Sequence, residues 1–388
     1  MIDGKLSPLF APERLFAAMD AADCDAVVAH TRRNYFYLSS VDILDYAIDP
    51  DTANFVLVPR DSAQPAMMTI PMSEALQLRD VPTWITHRIL CGRFYVKNGP
   101  DLGSVQVPDA WEGLIEALRS GGFSERRVGF EMEHMPVTLY RRLIEAFPRL
   151  QIVDASPLFR HVRKVKTAEE IRRIRIACAI TEQAIADVIP HVRPGYTDMD
   201  VSQAIGANIA AHGAEVLYVQ VGTDATAGLG LPAGRRLDTG DVVRLDVAGI
   251  YQGYTSDLGR GFAIGTATVE QQRLYRVAYQ ALQAGITAVR SGCSIGDVFH
   301  AAMSEWAGAG FPEVRRHHVG HGVGLQAHEP PLIKPDADEA TIPGMVLAVE
   351  VPCYIYRVGG FAPEDILVVG ETDNTQFTSA PSELPVVG

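Results

Sequence analysis

The sequence has little of what would place the protein in a bilayer, in an oxidising compartment or on a nucleic acid. Its 388 residues hold no apolar run of the roughly 18 residues that a membrane span needs, and no apolar stretch of signal-peptide length at the N-terminus. The five cysteines are scattered without a CxxC pair, so we expect reduced thiols in the cytoplasm. A net charge of −13 argues against nucleic acid as a partner.

Composition is otherwise that of a globular enzyme, with 47% hydrophobic and 21% charged residues. The length predicts two or three domains. Helical and strand patterns alternate in the first part, so we predict an α/β domain at residues 1–160 and a second domain at 161–388. At this boundary the basic segment Arg160–Lys166, interpreted as a solvated helix entry, precedes Thr167–Glu170, which fits a capping box and predicts a helix start.

The second domain contains an internal repeat. Val192–Gly195 recurs as Val289–Gly292, with a helical pattern before each copy, and Gly240–Val247 resembles Gly344–Val351. A helix–helix–strand unit therefore occurs twice, with an acidic residue at the same place in each strand. Because two copies are too few for a solenoid, we predict one α+β domain with internal pseudo-symmetry and a site between its halves.

Each half of the repeat also contains an acidic hairpin. A turn at Ile250–Gly253 places Asp246 directly opposite Asp257, and the second hairpin places Glu350 opposite Glu364. Cross-strand partners project to the same side of a sheet. Carboxylates forced together in apolar strands repel each other unless a cation or a shared proton lies between them. The pattern predicts four convergent carboxylates.

A histidine-rich segment supplies nitrogen donors. Four of the eleven histidines, His317, His318, His321 and His328, lie close together and are interleaved with glycines that allow close backbone approach. Four carboxylates and a histidine form an oxygen-rich site of the kind that holds paired divalent ions about 3.5–4 Å apart. No cysteine spacing supports a structural zinc site.

At these residues the sequence resembles the pita-bread superfamily of creatinases, prolidases (Xaa-Pro peptidases) and methionine aminopeptidases. The segments Tyr254–Arg260 and Gly320–Glu329 carry the likeness, and Asn34–Leu38 is similar to the N-terminal domain of the creatinase and prolidase branches. The family's metal ligands match, in order, Asp246, Asp257, His321, Glu350 and Glu364. The resemblance implies an α+β fold, with an N-terminal α/β creatinase-like domain followed by a C-terminal pita-bread domain with an internal pseudo-twofold repeat.

The resemblance also implies a function. The five ligands would hold two divalent metal ions (manganese, cobalt, zinc or iron) bridged by a water or hydroxide, which would attack a peptide or amide C–N bond. Glu350 would be both a ligand and the acceptor of the water's proton. His317 and His328 would bind substrate and protonate the leaving group. The expected protein is a cytoplasmic, homodimeric, metal-dependent hydrolase of the Xaa-Pro peptidase or creatinase type, acting on a small peptide or small molecule.

Around the ligands the sequence departs from the peptidase pattern. Leu229 stands where peptidase members carry a substrate-binding histidine, and Ala362 where they carry an arginine. Ala348 and the Val351-Pro352 pair replace further family residues beside the fourth ligand. An apolar Leu229 would form a wall of the substrate pocket. These changes favour a small or unusual substrate, because specificity depends on such outer residues.

Three functions therefore remain open. The first is a dinuclear metallohydrolase of peptides or amides, with Xaa-Pro peptides as the default substrate. The second is a metal-dependent non-peptidase on the same scaffold, such as a small-molecule C–N hydrolase or a lyase of a small zwitterion. The third is a binding protein without catalysis, against which the intact ligand set argues. A metal assay separates the third function from the others, and a dipeptide panel separates the first two.

Overall fold

The structure, a computed structural model, describes residues 7–49, 51–81, 83–93, 105–223, 228 and 230–388. The chain divides into two compact units, Met1–Arg163 and Lys164–Gly388. Among the helices that the structure describes, none combines the length and the apolar character needed to cross a bilayer.

The first unit is an α/β domain. Its described strands are β1 (Ala26–Ala29), β2 (Val56–Pro59), β3 (Met67–Pro71), β4 (His87–Cys91), β5 (Val105–Val107), β6 (Arg127–Phe130) and β7 (Gln151–Asp154). They form one mixed sheet in the order β5-β4-β3-β2-β1-β6-β7. Its described α-helices are α1 (Pro12–Ala21), α2 (Arg32–Ser39), α3 (Asp45–Ile48), α4 (Ala110–Ser120), α5 (Val137–Ala146) and α6 (Ser156–Lys164).

The core of this unit follows from its apolar patterning. All four residues of β1 are buried, as expected for a central strand that is parallel to β6 and antiparallel to β2. Helix α1 begins with Pro12, which tolerates the first-turn position, and it buries Leu15 and Met19. Helix α4 is capped by the side chain of Asp109 and packs Leu114 into the core cluster over the sheet.

The basic segment Arg160–Lys166 is solvated only in part, because His161 is exposed whereas Arg163 and Lys166 are buried. Arg163 donates from Nη1 to Asn34 Oδ1 at 2.9 Å. In the second unit, Lys166 Nζ lies 3.4 Å from Glu329 Oε2, and both side chains are almost fully enclosed. Each cation has an acceptor inside its own unit, which offsets the cost of removing it from water. The capping box at Thr167 is confirmed.

The second unit holds the predicted repeat. Its described α-helices are α7 (Ala168–Val188), α8 (Asp198–Ala211), α9 (Val269–Ala288) and α10 (Ile295–Gly308). Its described strands are β8 (Glu215–Gly222), β9 (Val242–Tyr251), β10 (Tyr254–Thr255), β11 (Leu258–Ile264), β12 (Gly320–Gly322), β13 (Glu329–Leu332), β14 (Val346–Glu350), β15 (Cys353–Ile355), β16 (Gly359–Phe361), β17 (Glu364–Val368), β18 (Thr375–Gln376) and β19 (Val386–Val387).

Two similar sheets follow two similar helix pairs, which confirms the pseudo-twofold architecture. After α7 and α8 comes a sheet in which β10 and β11 pair in one register with β9, β8 also pairs with β9, and β19 pairs with β11. After α9 and α10 comes a sheet in the order β13-β12-β14-β17-β18. The equivalent N-caps Thr197 and Ser294 each form a bridge to an irregular segment, at Arg236 and Ala340.

Only the second of the two acidic hairpins has the predicted register. Glu350 pairs with Glu364 across β14 and β17, as predicted. Asp246 pairs with Gly259, not with Asp257, so the predicted register of the first hairpin was wrong by two residues. Because side chains alternate along a strand, a shift of two residues keeps Asp257 on the same face as Asp246.

A tight turn explains the shift. Tyr251 pairs with Tyr254, which leaves Gln252 and Gly253 as a two-residue loop. Both loop residues have positive φ, 48° and 85°, the conformation of the turns that match the twist of a β-hairpin. The sequence-based prediction had centred the turn one residue earlier.

Candidate metal centre

The two hairpins and the histidine segment bring their side chains to one place. One carboxylate oxygen from each of Asp246, Asp257 and Glu364 lies within 4.8 Å of the others. One ligand atom from each of Asp257, His321 and His328 forms a second group with the same spacing. The two groups share Asp257. Such overlap is the arrangement in which neighbouring cations would share a bridging ligand.

Strand geometry positions these residues. Asp246 lies on β9, and Asp257 follows β10 in the break before β11. Glu364 begins β17, and Gly259 brings the first hairpin against this second one. A Cβ atom at Gly259 would lie 2.1 Å from Ala362 O, so any side chain there would separate the hairpins.

His321 is held as a neutral imidazole with a free nitrogen. Its Nδ1 lies 3.2 Å from the carbonyl oxygen of Gly322, which only accepts, so Nδ1 carries the proton. Nε2 lies 3.9 Å from both Asp257 Oδ2 and Glu364 Oε1. Burial, with the neighbouring His328, lowers the pKa of His321 to about 3. Its Nε2 therefore presents a lone pair toward the carboxylates, as a metal-ligating histidine does.

The partners of the carboxylates among the described residues offset their enclosure only in part. Burial raises the pKa of Asp257 and of Glu364 well above their usual range, and repulsion among the acids adds to it. Buried Glu364 Oε1 and His321 Nε2 have no hydrogen-bond partner among the described residues. An enclosed cluster of acids is costly unless cations lie among them. Oxygen donors with one imidazole suit divalent ions, so the residues fit a metal centre.

Glu350 occupies a different environment from the other three acids. Its Oε1 lies 3.5 Å from His318 Nδ1 and 3.8 Å from Arg316 Nη2. Burial raises the pKa of Glu350 to about 7, although Arg316 opposes the shift. Neither group of ligand atoms within 4.8 Å includes Glu350.

The three further histidines are placed unequally. His318 is buried, and burial lowers its pKa to about 4. His317 is exposed, and its ring lies edge-on to the ring of His318, with 4.2 Å between the two ring centroids. The structure thus sets His318, not His317, against Glu350, and the catalytic role of His317 stays a prediction. The ring of His328 stacks on that of His321, with 3.6 Å between the two ring centroids. Its Nε2 lies 3.7 Å from Asp257 Oδ2, and its side chain is 59% exposed.

Two side chains that contact the predicted ligands were missed by the sequence analysis. Tyr218, on β8, donates from its hydroxyl to Asp257 Oδ1 at 2.7 Å. Arg244, on β9, donates from Nη1 to Asp246 Oδ2 at 3.3 Å. Arg244 is detectable as a cation in an apolar strand, two residues before a predicted ligand. Tyr218 had no such signal, because only the pairing of β8 with β9 brings it here.

The residues that depart from the peptidase pattern supply no polar group in the described structure. Ala348, Val351 and Ala362 are buried apolar residues. Leu229 lies outside the described residues, so its predicted place in the substrate pocket stays a prediction.

Comparisons with known proteins show which family the chain resembles. Residues 172–371 match the model of metallopeptidase family M24, and residues 13–165 match the creatinase/prolidase N-terminal domain. An uncharacterized peptidase of Staphylococcus aureus (strain MW2) is 30% identical over 246 residues, which are 62% of this chain and 70% of that protein.

Two solved structures extend the likeness over nearly the whole chain. An Xaa-Pro dipeptidase from Bacillus anthracis superposes with a TM-score of 0.82 at 24% identity, covering 97% of this chain and 99% of that one. The dipeptidase PepE from Mycobacterium ulcerans superposes with a TM-score of 0.79 at 26% identity, covering 99% and 100%. The first shows a shared fold, and the second adds a similarity of sequence.

Proposed function

Because the chain belongs to metallopeptidase family M24, we propose that it is a metal-dependent hydrolase of the Xaa-Pro peptidase type that cleaves the C–N bond of a small peptide. The creatinase-like domain followed by a pita-bread domain, inferred from the sequence, is confirmed by the family matches and the solved structures. One observation carries the proposal: buried carboxylates converge on an imidazole nitrogen that has no hydrogen-bond partner among the described residues.

Five residues are proposed as ligands of two divalent ions: Asp246, Asp257, His321, Glu350 and Glu364. Such a pair of ions, when bound, polarises a scissile carbonyl and lowers the pKa of water. Tyr218 directs a lone pair of Asp257 by occupying its other oxygen, and the Gly322 carbonyl fixes the His321 ring. These contacts orient the donors before any ion arrives.

Proton transfer falls to the chain's own side chains. Glu350, with its pKa raised to about 7, is suited to accept a proton from the attacking water near neutral pH. The partly exposed His328 lies beside the carboxylates, where it can contact the substrate and protonate the leaving nitrogen. His317 is proposed for substrate binding, and Leu229 for the pocket wall, on the family resemblance alone.

The finer assignments belong to the same proposal. Manganese, cobalt, zinc and iron all suit this oxygen-rich donor set. A cytoplasmic location agrees with the free thiols among the described cysteines. Domain limits at 1–160 and 161–388, and a homodimer, complete the proposal.

A non-peptidase is the second candidate, and Ala362 favours it. This residue is buried and apolar where peptidase relatives carry an arginine. Loss of that cation removes a contact to the substrate, which would be compatible with a small-molecule C–N hydrolase or a lyase of a small zwitterion.

Turnover of Xaa-Pro dipeptides and tripeptides, compared with small amides and zwitterions under manganese, cobalt and zinc, tests the proposal. We expect a proline-containing dipeptide to reach a kcat/KM of about 10⁴ M⁻¹s⁻¹ in the best metal, and metal-stripped protein to be inactive. Full activity without metal would overturn the mechanism. Turnover of only a small amide or zwitterion would favour the second candidate.

A further inference from the structure

A buried ion pair lies next to the segment that carries His328. This segment, residues 323–328, connects β12 to β13. The pair consists of Lys166 and Glu329, whose Nζ and Oε2 atoms lie 3.4 Å apart and whose side chains are only 1% and 2% exposed. Glu329 directly follows His328, and Lys166 lies just before helix α7. The pair therefore joins the segment to a distant part of the chain.

The carboxylate of Glu329 also fixes the segment from within. Its Oε1 accepts from the backbone N–H of Gln326 at 3.3 Å, while its Oε2 faces Lys166. Gly324 lies so close that a Cβ atom there would be 2.6 Å from Glu329 Oε2 and 3.1 Å from Lys166 Cε. Both carboxylate oxygens are thus engaged, and the segment is folded tightly around them.

The other side of the segment is attached to the first hairpin. The carbonyl oxygen of Gly324 accepts from Thr255 N at 2.8 Å and from Thr255 Oγ1 at 3.1 Å. Thr255 is two residues before the proposed ligand Asp257. At the preceding residue, the Tyr254 hydroxyl donates to Glu170 Oε1, in the first turn of α7, at 3.1 Å. The segment is held both by the hairpin and by the ion pair.

The imidazole of His328 depends on this support. Its ring contacts His318 and His321, and its Nε2 approaches Asp257 Oδ2, but no hydrogen bond joins it to another of the described residues. The place of the ring is therefore set by the backbone that carries it. Precision matters there, because a displacement of about 1 Å can lower the rate of a reaction by roughly 100-fold.

Resting on the function proposed above, we propose that Lys166 and Glu329 are positioning residues that hold His328 where it protonates the leaving nitrogen. They act through the backbone, because Glu329 is the next residue in the chain and the pair anchors it to the start of α7. Replacement of an enclosed ion pair by neutral residues often leaves stability unchanged. What this pair contributes is one defined geometry of the segment.

A set of combined variants separates positioning from folding. The variants are Lys166→Met and Glu329→Gln, singly and together, and the double variant is also combined with His328→Ala. Lys164→Met is the matched control, because Lys164 forms a more exposed ion pair with Glu339, 2.6 Å from Nζ to Oε1. Cleavage of Ala-Pro by the manganese-loaded proteins gives kcat and KM. Tm and metal content are recorded for each protein.

We expect each single variant to lower Tm, because one buried charge loses its partner, and the double variant to recover a Tm close to that of the wild type. The double variant should still lose kcat by roughly 10–100-fold, with KM changed by less than about threefold. Where His328→Ala is already present, the same two substitutions should lower kcat by less than about threefold, because the ring that they position is absent. Lys164→Met should match the wild type.

Three results would overturn the inference. The first is a kcat of the double variant within about threefold of the wild type. The second is the same loss of kcat with and without His328, or in Lys164→Met. The third is a double variant that does not fold, which would show that the pair serves stability.

The histidine ring gives a second measurement that needs no turnover. Isotope labelling of the histidines in the zinc-loaded, diamagnetic protein gives nuclear magnetic resonance signals of their rings, and His328→Ala identifies the signal of His328. Its stacking on His321, with 3.6 Å between the ring centroids, shifts this signal through the ring current of the neighbour. We expect the signal to move toward that of a free imidazole in the double Lys166→Met, Glu329→Gln variant and to stay in place in Lys164→Met.

The two proposals fail separately. If no peptide is cleaved but the His328 signal moves in the double variant and not in Lys164→Met, the pair positions His328 and the peptidase function fails. If wild type and double variant cleave Ala-Pro with the same kcat, the peptidase function stands and the positioning role fails.

Discussion

The metal centre has a closed side and an open side, and each hairpin contributes one acid to each. On the closed side, the Asp257 and Glu364 side chains are 2% and 6% exposed and both face His321. On the open side, the Asp246 and Glu350 side chains are 18% and 16% exposed, and each faces an arginine. The pseudo-twofold repeat therefore separates two tasks. We expect the closed side to bind metal and the open side to meet substrate.

Removing an acid from the closed side should have the largest effect. Asp257 is shared by both groups of clustered ligand atoms. We expect Asp257→Asn to lose most of its bound metal and to reduce kcat by more than the 10–100-fold typical of outer-shell partners. Metal content by mass spectrometry and initial rates check this result. Asp338→Asn, at an exposed acid, is the control. Retained metal and activity would remove Asp257 from the centre.

The closed side also predicts how stability depends on pH. Burial raises the pKa of Asp257 and Glu364 in the folded state. Their contribution to stability is therefore present below the unfolded pKa of about 4 and is lost as the pH rises through the folded pKa. Metal removes this loss by stabilising the ionised acids. We expect the rise in Tm caused by manganese to grow between about pH 5 and pH 8.

Thermal unfolding with manganese and with a chelator, at several pH values, measures that difference. Glu364→Gln should flatten the pH dependence, because one of the raised carboxyl groups is gone. A manganese effect that is independent of pH would show that these acids do not exchange protons for metal.

A contact behind the closed side should have a smaller effect. Tyr218 donates to Asp257, whereas Tyr354 lies under Arg244 on the open side. We expect Tyr218→Phe to weaken metal binding by roughly 10–100-fold and Tyr354→Phe to leave it nearly unchanged. Competition with a chromogenic chelator gives both affinities. Equal losses of metal affinity in the two variants would show that the closed and open sides do not differ in their part in metal binding.

The tip of the first hairpin should matter least. Gly253 has a φ of 85°, which a side chain adopts only with strain. We expect Gly253→Ala to lower the free energy of unfolding by about 1 kcal/mol while leaving two metal ions bound. Denaturant titration and metal analysis of one preparation check both statements. Loss of metal in this variant would mean that the turn itself sets the position of Asp257.

The sequence pointed to the acids because a carboxylate in an apolar strand is costly to bury unless it has a partner such as a cation. It found the second hairpin's register because the inserted β15–β16 hairpin keeps that pairing regular, so Glu350 still opposes Glu364. It missed the first register because Gln252, a non-glycine residue at positive φ, is one of the two loop residues, which centres the turn one residue later than predicted. The error did not change the predicted cluster, because a shift of two residues keeps Asp257 on the same face of the hairpin as Asp246.

The site residues that the sequence did not predict are positioned by contacts between distant parts of the chain. Tyr218 reaches Asp257 only through the pairing of β8 with β9, which no local pattern in the sequence encodes. From its sequence Lys166 is expected to be a surface cation, whereas in the structure it is buried beside Glu329, which is distant in the chain. Such partners depend on tertiary structure, so spacing and composition alone do not predict them.

Anomalous scattering from a crystal grown with manganese tests the central claim most directly. The account predicts two peaks about 3.5–4 Å apart, each about 2.0–2.2 Å from its ligands, with Asp257 and Glu364 on the closed side and Asp246 and Glu350 on the open side. One peak is expected to contact His321 Nε2. Peaks that lie elsewhere, or a centre without manganese while the protein cleaves its substrate at full rate, would contradict it.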